Sequence, residues 1–159
     1  MISTHLGESL QQATRLFVYG TLRPGQFNFI RIERFVVACE PATIEGELVD
    51  LGAFPALVKG DGIVEGDMLT LQPTALRITD RIESYRPKDR RGLYLRRAIA
   101  VTLAEGSKVR AWTYFFGWPE RLADYPRALV GHRDGRPVLA WPICVRSCLS
   151  NRGQNGSKP

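Results

Sequence analysis

The chain is poor in the side chains that most often bind metals or act as nucleophiles. It has two histidines, His5 and His132, and three cysteines, Cys39, Cys144 and Cys148. A disulfide framework uses cysteines in pairs, so the odd count argues against one and suits a reducing, cytoplasmic compartment. A structural zinc site takes four N or S ligands. Cys144 and Cys148 lie close in sequence but lack histidines to complete a set, so no metal is expected. There is no Gly-x-Ser-x-Gly elbow for a serine nucleophile. A Cys–His pair would have to use a histidine from the polar start or from a Gly/Arg-rich stretch. There is no Gly-x-x-x-x-Gly-Lys-Ser/Thr phosphate loop, no internal repeat and no run of eighteen apolar residues, so no membrane span is expected. The opening "MISTHLGESLQQAT" has neither the basic start nor the apolar centre of a secretory signal.

The 159 residues fit a single domain that can bury a core without staples. A polar leader is expected over 1–14, the domain over 15–149, and a disordered tail over 150–159, where "SNRGQNGSKP" is polar and carries two glycines. The net charge is +6, part of it in "RPKDRRGLYLRR", residues 86 to 97. Such a run can attract nucleic acid or acidic ligands. It lacks interleaved aromatics of the nucleic-acid type and no DNA-binding motif accompanies it, so it reads as a solvated loop leading into a strand.

Strand signals dominate. "RLFVY", 15 to 19, is a contiguous apolar run stopped by Gly20 and then by Arg23-Pro24-Gly25. "QFNFIRIERFVV" after it fits a short helix or an irregular loop. "TIEGELVDL", "FPALV" and "IVEGDMLTL" read as strands, and Gly46 and Gly66 in the first and third predict bends in a curled sheet. Between 74 and 85 the period changes. Ala75, Ile78, Ile82 and Tyr85 make one helical stripe, opened by Pro73 and stopped by Pro87. Residues 93 to 116 read as a hairpin around "AEGS". Regular βα alternation is missing, which excludes a doubly wound parallel sheet. The expected class is mixed α+β, with a curled sheet or a small barrel.

Two features could carry chemistry. A strand ending in Gly-Thr can leave several N–H groups unpaired, and if they converge they bind a carboxylate or a carbonyl oxygen; the same residues also suit an ordinary turn. Glu83 borders the apolar helix stripe. Desolvation there would raise its pKa toward that of a general base; equally, it could be a solvated charge paired with Arg86 or Lys88.

The segments "FVYGTLRPGQFN", "FPALVKGDGIVEGDMLTL", "LRITDRIES" and "YLRRAIAV", in this order, resemble the γ-glutamylcyclotransferase-like proteins. These include γ-glutamylamine cyclotransferases, plant AIG2-like proteins and small bacterial relatives. The likeness runs from about Arg15 to Phe116 and implies an α+β fold, a small mixed β-barrel with flanking helices. It implies that Tyr19, Gly20, Thr21 and Leu22 bind the γ-glutamyl part of a small-molecule substrate. It also implies that Glu83, ending an Asp-x-x-Glu that starts at Asp80, is catalytic. Tyr94, Arg96 and Tyr114 are implied at the substrate. No cofactor is implied; nucleic acid and membrane are not expected as partners, and the oligomeric state is unreadable. The implied reaction is intramolecular: the α-amine attacks the γ-amide carbonyl, releasing 5-oxoproline and an amine. The alternative on the same fold is a non-catalytic module that binds a γ-glutamyl or amino-acid-like metabolite. Ser84, where many relatives have glycine, and "VGHRDGRPVLAW", a loose echo of a Gly-Asp-Trp-like element, depart from the pattern.

Overall fold

The first strand reads as a contiguous apolar run because both of its faces are buried. Side chains alternate across a strand, and here Phe17 and Tyr19 enter one apolar cluster while Leu16 and Val18 enter another. The computed structural model describes residues 13–142. Most of the expected leader, Cys144, Cys148 and the expected tail lie outside them.

Strand β1 (Thr14–Val18) leads through a loop and two 3-10 turns, Phe29–Arg31 and Glu33–Phe35, into β2 (Val36–Asp50). Then come β3 (Pro55–Leu71), helix α1 (Ala75–Ile82), β4 (Tyr94–Leu103), β5 (Lys108–Phe116), β6 (Leu129–Arg133) and β7 (Arg136–Leu139). The sheet order is β1-β5-β4-β2-β3-β7-β6, and a further β1–β3 pairing closes five of these strands into a barrel. The barrel is mixed: β1 runs parallel to β5 and antiparallel to β3. The β6–β7 hairpin hangs on β3 through a parallel contact of Ile63 and Val64 with Val138 and Leu139. One core fills the barrel around Phe17, Leu48, Leu57, Val64 and Val101. The other joins the outer wall to the helix around Leu16, Leu69, Leu71, Ala75 and Tyr114.

Gly46 and Gly66 both mark the curl, for different reasons. At Gly46 the β2–β3 register slips, so that Gly46 faces Gly62 while Glu47 faces Val58. Residues 59 to 61 of β3 are the extra ones, an enlarged bulge that bends the pair. At Gly66 the register is unbroken, but a Cβ would lie 2.3 Å from the Val18 carbonyl oxygen. Only glycine lets β3 approach β1 closely enough there. "FPALV" and "IVEGDMLTL", read separately from sequence, are the two ends of one long β3, joined through the bulged segment.

The helix keeps the expected stripe but is shorter than expected. Ala75 is fully buried, with Ile78, Ile82 and Tyr85 packed beside it. The stop comes before Pro87. Tyr85 donates its N–H to the Asp80 carbonyl at 2.8 Å, and Ser84 to that of Arg81 at 3.2 Å. This 6→1 and 5→2 pair is a Schellman ending. It requires a left-handed residue, and Ser84 takes that role with φ +54°. A glycine would suit this position for the same reason. The helix thus ends at Ile82, and Glu83, whose N–H still donates to the Thr79 carbonyl at 2.9 Å, is the C-cap residue.

The expected 93–116 hairpin forms, with Tyr94 opposite Phe116 and Thr102 opposite Lys108. Segment 86–93 before it is a loop, tightened by a hydrogen bond from the Asp89 N–H to the Arg86 carbonyl. Among the described residues the flanking helical part is α1 and three 3-10 turns.

Candidate functional site

The arrest of β1 builds one wall of a cavity. Past Tyr19 the chain makes two turns in succession. Arg23 donates its N–H to the Gly20 carbonyl at 3.0 Å, and Gln26 to that of Arg23 at 2.9 Å. Pro24 and Gly25, with Gly25 at φ +83°, occupy the central positions of the second, as in a type II turn. Asn28 ties the loop to itself: its N–H donates to the Thr21 carbonyl and its side-chain amide to Thr21 Oγ1, both at 2.9 Å. Arg23 anchors the loop to the barrel through Asp67 at 2.8 Å and the Trp141 carbonyl at 3.3 Å. Gly20 presses on Pro55, where a Cβ would come within 2.8 Å of Cγ. Among the described residues, the N–H groups of Gly20, Thr21 and Leu22 meet no acceptor. Three successive donors are therefore left for a guest.

Glu83 lies in the same cavity. The hollow has a volume of about 150 Å³ and opens at the barrel end where β1 stops and β3 and β4 begin. Tyr19, Gly20, Thr21, Leu22, Glu83, Tyr94 and Tyr114 all line it. Seven of the eight residues singled out from sequence are thus brought together. Glu83 is half-buried, and neither a hydrogen bond nor an ion pair holds its carboxyl among the described residues. Desolvation pushes its pKa from the usual 4.5 up to about 7. The pairing with Arg86 or Lys88 left open by the sequence does not form. A carboxyl poised near neutrality can both accept and return a proton.

Three tyrosines line the cavity with Glu83, and their phenols stay protonated. Burial is the main cause in each, and the Glu83 charge adds to it for Tyr19 and Tyr94. Each hydroxyl already donates to the protein. Tyr19 donates to the Tyr114 carbonyl at 2.5 Å, Tyr94 to the Pro55 carbonyl at 2.6 Å, and Tyr114 to Asp80 Oδ1 at 2.7 Å. What they offer a guest is ring surface and oxygen lone pairs.

Arg96, expected at the substrate, is not among the cavity-lining residues. Its Nη1 binds both Asp80 oxygens, at 2.8 and 3.0 Å, and the guanidinium lies between the rings of Tyr85 and Trp112. The chain of contacts runs from Arg96 to Asp80 to the Tyr114 hydroxyl, which also meets Thr79 Oγ1 at 2.7 Å. Arg96 from β4 and Tyr114 from β5 therefore both hold Asp80, in the last turn of α1 and three residues before Glu83.

Comparisons with known proteins bear on the family and the fold. The family model described as "Gamma-glutamyl cyclotransferase, AIG2-like" matches residues 16–134. The chain belongs to that family. A curated relative, the Gamma-L-glutamyl-butirosin B gamma-glutamyl cyclotransferase of Niallia circulans, is 31% identical over 126 residues, covering 76% of this chain and 80% of the relative. Among solved structures, an AIG2-like protein of Mus musculus superposes with TM-score 0.60 at 24% identity, covering 73% of this chain and 86% of the mouse protein. YkqA of Bacillus subtilis superposes with TM-score 0.54 at 24% identity; the match covers 65% of this chain but 36% of YkqA. These two likenesses concern the fold. The γ-glutamyl cyclotransferase family acts on small γ-glutamyl substrates, and a cavity of this size at the end of a barrel suits such a guest. No helix among the described residues is long and apolar enough to cross a membrane.

Several wall residues were not singled out from sequence, among them Asn28, Phe54, Pro55, Ile82 and Leu93. Asn28 sits in the stretch whose structure the pattern left ambiguous. Pro55 becomes visible only through its contact with Gly20, 35 residues earlier. Ile82, on the helix stripe, is both core and wall.

Proposed function

We propose that this chain is a γ-glutamyl cyclotransferase in which Glu83 moves the protons and the Gly20–Leu22 amides hold the anionic part of the substrate. The observation that carries this is the shared cavity: it is lined both by a desolvated carboxyl with no partner among the described residues and by three residues whose N–H groups meet no acceptor among them. A γ-glutamyl amide brings its own nucleophile, so the protein need only fold and hold it. Positioning of this kind can lower a barrier by up to about 7–11 kcal/mol in favourable intramolecular cases.

The α-ammonium gives one proton to Glu83. The freed lone pair forms a bond to the γ-carbonyl carbon, and the carbonyl oxygen takes up the negative charge. Glu83 returns the proton to the amide nitrogen as the bond from carbon to that nitrogen breaks. The surplus proton on the ring nitrogen then leaves with the departing amine as its ammonium, and 5-oxoproline remains. General acid–base action of this kind is worth about 10²–10⁴ in rate. A single donor to the developing oxyanion is worth about 2.7–4 kcal/mol. The lone pairs of Tyr19 and Tyr94, both close enough to feel the Glu83 charge, can accept from the α-ammonium before it loses its proton.

The test is release of 5-oxoproline from a panel of γ-glutamyl peptides, γ-glutamyl amines and γ-L-glutamyl-butirosin B. Wild-type protein turns over at least one member, and Glu83→Gln, still folded by circular dichroism, turns over none. Normal 5-oxoproline release by the folded variant would refute the role of Glu83. A wild-type protein inactive on the whole panel would refute the activity.

A further inference from the structure

Two observations outside the reacting centre bear on which amine departs. The cavity lining holds one ionisable carboxyl, Glu83, and no lysine or arginine. The loop over 84–92 joins two of its wall residues, Glu83 and Leu93, and Leu93 is 41% exposed, which places it at the mouth. This loop carries Arg86, Lys88, Arg90 and Arg91 against Asp89, all solvent-exposed. None of its four cations is in an ion pair among the described residues. Asp89 Oδ1 accepts the Arg91 N–H at 2.9 Å, so the loop's one carboxylate is used to shape the turn. Arg91 is two residues from Leu93, so their Cα atoms are at most about 8 Å apart. Arg86 is three residues from Glu83, a span of at most about 11 Å. Two arginines close to the wall are engaged elsewhere: Arg23 with Asp67 and Arg96 with Asp80.

We infer that this loop is a specificity element, selecting γ-glutamyl substrates whose departing amine carries a carboxylate, as an amino acid or short peptide does, over substrates with a cationic departing amine. The inference rests on the cyclotransferase reading. The γ-glutamyl head lies in the uncharged part of the cavity, on the loop amides. The departing group passes the mouth, where the field of the rim is positive. An anionic group there is attracted by three net charges; an ammonium is repelled by the same three.

The experiment compares γ-glutamyl-alanine, γ-glutamyl-alaninamide and γ-glutamyl-putrescine as substrates at low and high salt. Exposed charge pairs are individually weak, and a few acting together give about a tenfold preference. The expected order of kcat/KM is anionic above neutral above cationic, with about tenfold between the extremes at low salt. The spread should shrink toward unity in 0.5 M NaCl, where screening acts within a few ångströms. Arg90→Glu/Arg91→Glu should reverse the ratio of anionic to cationic turnover. Equal kcat/KM for the three compounds, or a preference indifferent to both salt and the double variant, overturns the inference and leaves the activity standing. If nothing is turned over, the activity itself fails, and calorimetric binding of the same compounds to Glu83→Gln still decides the point. Tighter binding of the anionic compound supports the rim's role; equal or no binding overturns it.

Discussion

Replacing Glu83 by glutamine should make the protein more stable while abolishing its turnover, with a pH dependence that identifies the cause. Burial raises the carboxyl from its usual 4.5 to about 7. Its anion is therefore disfavoured in the folded protein relative to the unfolded chain. Below about pH 4.5 the group is protonated in both states and costs nothing. Between about 4.5 and 7 the unfolded chain ionises while the folded protein resists, and stability falls. Above about 7 the loss is complete, and the size of the shift puts it at about 3 kcal/mol. Because the cavity admits solvent, that figure is an upper bound. Glutamine keeps the shape and cannot ionise. Urea unfolding of both proteins at pH 4 and pH 8 checks this: stabilities that converge at pH 4, and a variant more stable by up to about 3 kcal/mol at pH 8. The same ionisation governs catalysis, so wild-type kcat/KM should fall about tenfold per pH unit below about pH 7. A variant no more stable than wild type at pH 8, or a stability difference that does not change with pH, would refute a desolvated Glu83.

Gly20→Ala drives a Cβ into the Pro55 ring. It should cost about 1–3 kcal/mol by overpacking and lower kcat/KM at least tenfold through the displaced amides; wild-type kinetics in the folded variant would contradict this. Ser84→Gly relieves the left-handed strain at the helix end and should add about 0.5–1 kcal/mol in urea unfolding, where a loss would contradict the Schellman reading. Tyr114→Phe removes the hydroxyl held by Asp80 and Thr79 and should cost about 1–3 kcal/mol. The bond from Tyr19 to the Tyr114 backbone carbonyl survives that change, so a variant as stable as wild type would show that the helix is not pinned through the hydroxyl.

The sequence revealed most where one residue has one possible environment. The stripe from Ala75 to Tyr85 could only be a helix face, and the glycines at 46 and 66 could only mark curl or close approach. It was less informative where distant segments meet. The stripe does not show that Asp80, and not Glu83, takes Arg96; that follows from β4 passing behind the helix. The β6–β7 hairpin was legible in principle: Asp134 and Gly135 both have positive φ, and "RDGR" is the type of turn that demands it. The surrounding prolines and charged residues hid the short strands. The free amides were suggested by Tyr-Gly-Thr, but whether they converge on Glu83 depends on barrel closure between β1 and β3. No local pattern encodes that closure.

The most direct measurement is an amide NMR titration of Glu83→Gln with a γ-glutamyl amide that it binds but cannot cyclise. The N–H signals of Gly20, Thr21 and Leu22 should shift furthest, with ligand contacts to the Ile82 and Leu93 methyls. Saturation that leaves those three amides unmoved, with the shifts clustered elsewhere, would contradict the account.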